Sequence, residues 1–171
     1  QSARFLFDFQ RTISELFAEN YYDYFTELCH RNGLLSITES YFGPFDYLRC
    51  ARNADIPTGE FWVGSGTSIS RMPGSAAHFH GKARVGAESF TAGPAQLKIY
   101  GDRAWIHGVT QLVMHSYVHQ PYLNVRPGWT LAQHGSHLSR ANTWWPYGNG
   151  WVDYINRSQF LLQQGTPVAD L

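Results

Sequence analysis

The chain has 171 residues, with 13 acidic against 13 basic side chains, a charged fraction of only 15% and an aromatic fraction of 16%. Balanced charge leaves no electrostatic case for nucleic acid or an anionic membrane, and this aromatic density excludes disorder in favour of one domain with a sizeable core. Cys29 and Cys50 form neither a disulfide framework nor a CxxC pair, and no apolar run approaches the roughly 18 residues of a membrane span.

In chain order, residues 2–32 predict one long amphipathic helix. Phe5, Phe9, Ile13, Leu16, Phe17, Tyr21, Tyr24, Phe25 and Leu28 recur at three- and four-residue steps. Ser2 is a candidate N-cap, Asn32-Gly33 is a stop, and the aromatic stripe reads as core. "LLSIT" (34–38) predicts a buried strand ending at Glu39, and "GPFDYLRCAR" a short helix. "DIPTGEF" predicts a second strand ending at Glu60. "SISRMPGSAAHFHGK" turns helical from about Ser75, and "ARVGAE" (83–88) predicts a third strand ending at Glu88. Residues 93–108 predict a helix with Pro94 near its first position. Residues 109–119 predict a fourth strand ending in His115, Tyr117 and His119. A Gly-, Trp- and Pro-rich segment, 120–149, shows no period, and its length suggests a site cover. The last helix spans 150–165. The opening "QSARFLFDF" lacks Met and enters helix at once, and "GTPVADL" closes on what reads as a strand beginning. A piece of a longer protein is therefore expected.

Strands alternating with helices at this spacing predict parallel βα units. Three strands end in glutamate and the fourth in histidines, and in a (β/α)₈ barrel the active site lies at those ends. A doubly wound open sheet is the rival, but no GxGxxG or P-loop follows any strand. The expected fold is α/β, about half of a (β/α)₈ barrel, with residues 1–171 as part of one catalytic domain.

Glu60 poses the sharpest question, since "ADIPTGEFW" sets one carboxylate among apolar and aromatic neighbours. Paired carboxyls at rigid strand ends suit glycoside hydrolysis, where one protonates the leaving oxygen and the other activates water. Glu39, Glu60 and Glu88 are the candidates. A glutamate that holds a loop through backbone N–H groups is the plainer alternative for each. On one strand, His115, Tyr117 and His119 would share a face toward the barrel mouth, suited to sugar hydroxyls. A zinc reading of the histidines is disfavoured because "QLVM" before them reads as strand, not helix. His134 and His137 are ordinary loop histidines that could line the site, and His78 and His80 fall on a wall helix. Trp144 and Trp145 offer aromatic faces for the apolar side of a sugar ring, and capping the core is the plainer role for one of them.

"ITESYFGPFDYLRCARNADIPTGEFW", "AAHFHGKARVGAESFT", "HSYVHQPY", "PGWTLAQHGSHLSRANTWWP" and "YINRSQFLLQQGTPVADL" together resemble the bacterial α-L-rhamnosidases of glycoside hydrolase family 106, in order and over nearly the whole chain. The resemblance implies a (β/α)₈ catalytic domain in a much larger enzyme, an inverting mechanism, a rhamnose-containing substrate, an active-site calcium and a periplasmic or secreted setting. It implies Glu60 as general base, with the general acid upstream of residue 1. Glu88 becomes a calcium or sugar-hydroxyl ligand, with catalysis second; Glu39, read from its own setting, could bind a sugar hydroxyl or the metal, with a structural role beside these. Two alternatives stand beside it: a retaining enzyme pairing Glu60 with Glu88, and a non-catalytic carbohydrate-binding or structural remnant.

Overall fold

The computed structural model describes residues 1–63, 68–91, 96–126, 128–131, 134, 138–165 and 167–168. The first helix is continuous as expected, but it is built from α1 (Ser2–Phe17), a π-helical stretch (Ala18–Asp23) and α2 (Tyr24–Arg31). It stops as the sequence predicts. Gly33 takes φ 70°, its N–H bonds the His30 carbonyl at 3.0 Å, and the Leu34 N–H reaches the Cys29 carbonyl at 2.9 Å. That pair of bonds is the Schellman closure of a helix, and the positive φ is why Gly stands there.

The aromatic stripe is not core in this chain. Nothing in α1 is buried, and Phe5 and Phe9 stand 66% and 53% exposed. The helix docks through its second half: Ser14 Oγ accepts from the Asp46 N–H at 2.7 Å, Phe17 packs on Phe45 at 5.3 Å, and Ala18, Tyr22 and Thr26 are buried one turn apart. Ala18 and Tyr22 pack with Phe45 and Cys50, the latter on α3 (Tyr47–Ala51). Burial holds the Tyr22 phenol up at about 12 and the Cys50 thiol up at about 11.

β1 (Ile37–Glu39), β2 (Ile56–Trp62), β3 (Gly86–Thr91) and β4 (Gln111–Met114) form a parallel sheet in the order β1-β2-β3-β4. The order never reverses, so there is no switch point of the kind a doubly wound sheet needs. One face carries Gly59, Phe61, Ala87 and Leu112 against helices. Phe61, Ala87 and Leu112 pack with Leu97, Tyr100 and Ala104 of α5 (Leu97–Ile106) and Ile155 of α6 (Asn149–Leu162). Gly59 is needed for close approach, because a Cβ there would stand 2.8 Å from the Ile69 carbonyl and 2.9 Å from Pro73 of α4 (Arg71–Phe79). The other face carries Ile37, Glu39, Thr58, Glu60, Glu88 and Val113, and at its rim Ile37 and Val113 stay 49% and 43% exposed. Among the described residues no helix is long and apolar enough to cross a membrane.

Several boundaries differ from expectation, and β2 runs two residues past Glu60 to Trp62. α4 begins at Arg71, not near Ser75, because Pro73 falls in the first turn, where its missing N–H costs nothing. β3 runs past Glu88 to Thr91 through a bulge that shifts register between Phe61 and Trp62. Phe90, at φ 66°, turns at that bulge to stack edge-on with Phe61 at 5.0 Å. β4 ends at Met114, and a cis peptide joins His115 to Ser116. Pro94 lies outside the described residues.

The start of β2 is tied to the first helix by a polar knot. The Ser36 N–H and hydroxyl donate to Asp55 Oδ2 at 2.7 and 3.0 Å, His30 Nε2 lies 2.8 Å from the same oxygen, and the Thr26 hydroxyl donates to Ser36 Oγ at 3.0 Å. Partial burial works against the Asp55 charge, but the Ser36 N–H, the His30 ring and the Ser36 hydroxyl outweigh it and hold the carboxyl below its ordinary range. A carboxyl lowered on folding stabilises the fold above its unfolded pKa of about 4 and loses that contribution as the pH falls toward the folded value. Asp55→Ala is expected to cost about 1–3 kcal/mol at pH 7, through the unpaired Ser36 donors. The urea midpoint should drop at pH 7, and the gap to the unmodified protein should narrow at pH 3.

Candidate active site

The register that builds the sheet also gathers its acids. Glu39 ends β1, Glu60 lies two residues before the end of β2, and Glu88 pairs directly with Glu60 across β3. His115 follows β4, fixed there by its N–H on the Ser89 carbonyl at 3.0 Å. Four strands in parallel deliver their C-terminal ends to one edge, so the three carboxyls and the imidazole converge.

Glu60 is only 8% exposed, and its carboxylate is gripped from both sides. The Trp62 indole N–H donates to Oε1, and the Tyr41 hydroxyl lies 3.0 Å from Oε2. The Ser70 hydroxyl takes the Glu60 backbone carbonyl at 3.2 Å, so the strand end is held as well. Donors on both oxygens fix how the carboxylate is turned. Glu39 meets the same Tyr41 hydroxyl at 2.9 Å, and the Tyr22 hydroxyl donates to the Glu39 carbonyl at 3.1 Å. Partial burial of the Glu39 carboxyl pushes its pKa up, the Tyr41 hydrogen bond opposes this, and the charges of Glu88 and Glu60 push it further up. Burial and the bond to Glu39 also raise Tyr41, so its phenol stays protonated. Phe42, directly after Tyr41, sits at φ 57°, a left-handed conformation that turns the chain sharply after β1.

Glu88 accepts from the Thr91 hydroxyl at 3.0 Å and lies 3.7 Å from His115 Nδ1. Among the described residues none of these acids pairs with Lys or Arg; their neighbours are hydroxyl, indole and imidazole. The His134 ring stands edge-on to Trp62 at 5.8 Å and so reaches the site from the long segment.

The remaining candidates are placed differently. β4 ends before His115, so the strand alternation that would put His115, Tyr117 and His119 on one face does not operate. Tyr117 and His119 lie along an irregular segment, Tyr117 at 67% exposed. That segment closes on a cavity of about 230 Å³ lined by Ser116, Val118, Gln120, Trp129, Leu138 and Asn142. Trp144 packs on the main core and meets Trp145 and Trp151 edge-on at 5.4 and 6.2 Å. Its indole N–H is buried without a partner among the described residues. Trp145 is half-buried beside it. His78 and His80 lie at the C-terminal end of α4, and His137 is outside the described residues.

Two residues that grip the acids escaped the sequence reading: Tyr41 and Trp62. Trp62 lies two positions past Glu60 on β2, the offset that places side chains on one side of a strand, and applying it would have found Trp62. Tyr41 lies beyond the end of β1, where that offset does not operate.

The calcium that the resemblance implies needs hard oxygen ligands in number, six to eight by general rule. Among the described residues no group of three or more His, Cys, Asp or Glu stands close enough to hold an ion. Glu88 faces a hydroxyl and an imidazole, so these residues do not by themselves fit a calcium.

Comparison with known proteins follows the same line. The family model described as alpha-L-rhamnosidase, glycoside hydrolase 106, matches residues 1–171. A protein of Formosa agariphila named "Putative beta-glucuronidase" is 49% identical over 98% of this chain. The solved rhamnosidase from Novosphingobium sp. PP1Y superposes over 99% of the chain at TM-score 0.91 and 34% identity. The chain spans only 15% of the first protein and 18% of the second.

Trp62→Phe keeps the ring and deletes the donor to Glu60. It is expected to lower kcat of the full-length polypeptide about tenfold, from one lost charge-directed hydrogen bond of about 1.5 kcal/mol, with KM little changed. Steady-state kinetics on an aryl glycoside checks it.

Proposed function

Because the chain belongs to the glycoside hydrolase 106 family of α-L-rhamnosidases, we propose that it forms about half of a (β/α)₈ catalytic domain that hydrolyses terminal α-L-rhamnosyl linkages with inversion, Glu60 acting as the general base. The observation that carries this reading is the grip on Glu60, a nearly buried carboxylate with an indole N–H on one oxygen and a phenol on the other. Such donors fix the orientation of the carboxylate, and an immobile carboxylate is what a base needs to take a proton from water. By resemblance to the family, the acid that protonates the leaving oxygen is expected on a carboxyl outside residues 1–171.

The chemistry then runs in one displacement. Water attacks the anomeric carbon from the side opposite the leaving group while Glu60 removes its proton. The glycosidic C–O bond breaks, and the leaving oxygen takes a proton from the off-chain acid. Glu88, between the Thr91 hydroxyl and His115, is placed to accept from a sugar hydroxyl. The retaining alternative would make Glu60 or Glu88 a nucleophile. Adjacent strands with the two Cα atoms in register allow the carboxyl spacing of about 5–5.5 Å that this alternative needs, so what ranks inversion first is the resemblance to the family.

The name of the Formosa relative raises a uronic acid as rival substrate. A uronate carboxylate calls for a cation, and the described residues of the mouth offer none but a protonatable His115. A neutral 6-deoxy sugar suits this acid-rich site better. The exposed stripe of α1 and the open rim at Ile37 and Val113 fit the same proposal, as faces that the remainder of the polypeptide covers.

The test uses the full-length polypeptide. It should release rhamnose from an aryl α-L-rhamnoside, first as the inverted anomer by proton NMR, and leave the matching β-glucuronide intact. Glu60→Gln should lower kcat by about 10²–10⁴ with KM nearly constant. Undiminished turnover in that variant overturns the base assignment. Residues 1–171 alone should bind or ignore the sugar without hydrolysing it, since the acid is absent.

A further inference from the structure

The irregular segment after β4 is tied to the acid mouth at two places. Ser116 directly follows His115, whose Nδ1 lies 3.7 Å from Glu88. Further along the chain, the His134 ring stands edge-on to Trp62, the residue that grips Glu60. The same segment encloses the cavity of about 230 Å³. The hydrolytic step does not use it.

The cavity is held open by hydrogen bonds made elsewhere than in its lumen. The Gln120 amide clamps Trp129 from both sides: its Oε1 accepts from the Trp129 N–H at 2.9 Å and its Nε2 donates to the Trp129 carbonyl. Arg140 donates to the carbonyls of Gln120 and Tyr122 at 2.6 and 3.4 Å, which ties the third arm of the segment to the first. Trp129 in turn meets the Tyr122 ring edge-on at 6.3 Å. Leu138 and Ser139 are buried at the base. Ser139 Oγ accepts from the Ala141 N–H at 3.3 Å, which leaves its own proton to donate.

The lining selects its occupant. Trp129, Val118 and Leu138 supply apolar surface, and Ser116, Ser139 and Thr143 supply hydroxyls. Among the described residues no charged side chain lines the cavity, so an ionised ligand would be taken from water without a counter-charge. A wholly apolar ligand would strand the hydroxyls. A sugar ring meets both demands, with an apolar C–H face for the indole and hydroxyls of its own. The volume falls below the roughly 300–1,000 Å³ of pockets that take drug-sized ligands, which suits a single ring.

We propose that this cavity is a leaving-group subsite that takes one neutral pyranose ring, the sugar to which the terminal residue in the acid mouth is linked. Its place on the leaving side rests on the rhamnosidase reading above; its preference for a neutral ring does not. Contacts to a ring that takes no part in the bond change are made in ground state and transition state alike, so their loss is read in KM rather than kcat.

The experiment uses the full-length polypeptide and two substrates, an α-L-rhamnosyl-hexose disaccharide and α-L-rhamnosyl fluoride, which has no second ring. Trp129→Ala should raise KM for the disaccharide about tenfold with kcat within about a factor of two, and raise KM for the fluoride less than about twofold. An equal effect on both substrates, or none on either, overturns the subsite. Ala141→Leu fills the cavity instead of opening it; it should give the same pattern, and it decides if Trp129→Ala folds poorly by circular dichroism. Saturation-transfer NMR separates this proposal from the reading it rests on. The methyl glycoside of a neutral hexose should receive saturation from the unmodified protein, less from Trp129→Ala, and more than the matching methyl hexuronide. No transfer to the neutral ring, or a preference for the uronide, overturns the proposal whatever the enzyme hydrolyses. Transfer that depends on Trp129 in a protein that cleaves neither rhamnosyl substrate upholds the sugar site and sinks the rhamnosidase reading.

Discussion

Everything at the mouth follows from one constraint: parallel strands in sequential order deliver like charges to the same edge. Glu39, Glu60 and Glu88 are not scattered acids that happen to meet. Register sets Glu60 opposite Glu88, and β1 brings Glu39 alongside. Coulomb repulsion between such groups is substantial away from bulk water, about 4 kcal/mol for unit charges 4 Å apart at an effective dielectric near 20. Two remedies are open to a protein, cations or protons. Among the described residues the chain supplies no Lys or Arg to these acids. It supplies a phenol, an indole, a threonine hydroxyl and an imidazole. A site built from neutral donors orients carboxylates without neutralising them, which leaves their charge for chemistry.

The bulge in β3 shows how packing and site depend on each other. Without it, Phe90 would fall on the same face as Glu88 and stand among the acids. At φ 66° it turns instead to the helix side, where it meets Phe61 and Trp151. The register step then places Thr91 beside Trp62, and Thr91 donates to Glu88 while Trp62 donates to Glu60. One left-handed residue thus completes the core and aims two donors at the mouth. The strain of a bulky residue at positive φ, on the order of 1–3 kcal/mol, is offset by the burial of that ring in the core.

Much of this was legible in the sequence, for reasons that differ by element. The order of helices and strands follows from apolar period and from Gly and Pro punctuation, and these are local signals. The Schellman stop at Asn32-Gly33 is equally local. The converging glutamates were legible because strand ends in a βα repeat share an edge. What failed was what depends on partners distant in the chain. The length of β3 is set by its pairing with β2 and by the bulge. β4 ends at Met114 although "SYVH" continues the alternation, because among the described residues the His115 N–H on the Ser89 carbonyl is the last bond to β3, and periodicity does not report a missing partner. Tyr41 and Trp62 by themselves carry no local signal of a site. Their role is set by which carboxylates the fold brings within their reach, and no composition reveals that.

The first helix gives the clearest case. Its stripe from Phe5 to Leu28 is as strong a burial signal as the sequence contains, and the structure leaves most of it open to water. Both observations hold at once. Periodicity states that a face is made to be covered; it carries no information about what covers it or where that cover lies in the chain. Ala18, Tyr22 and Thr26, from the π-helical stretch onward, find their cover within residues 1–171, in Phe45, Cys50 and Ser36. Phe5, Phe9 and Leu16 do not. A run of large apolar side chains at about half exposure is far beyond the scattered apolar residues of an ordinary surface, and leaving it in water is unfavourable by about 25 cal/mol per Å². The same reasoning applies to Ile37 and Val113 at the rims of the sheet's acid-bearing face. Read in that way, a sequence pattern that misses its target inside a chain is itself a measurement of where the chain expects a neighbour.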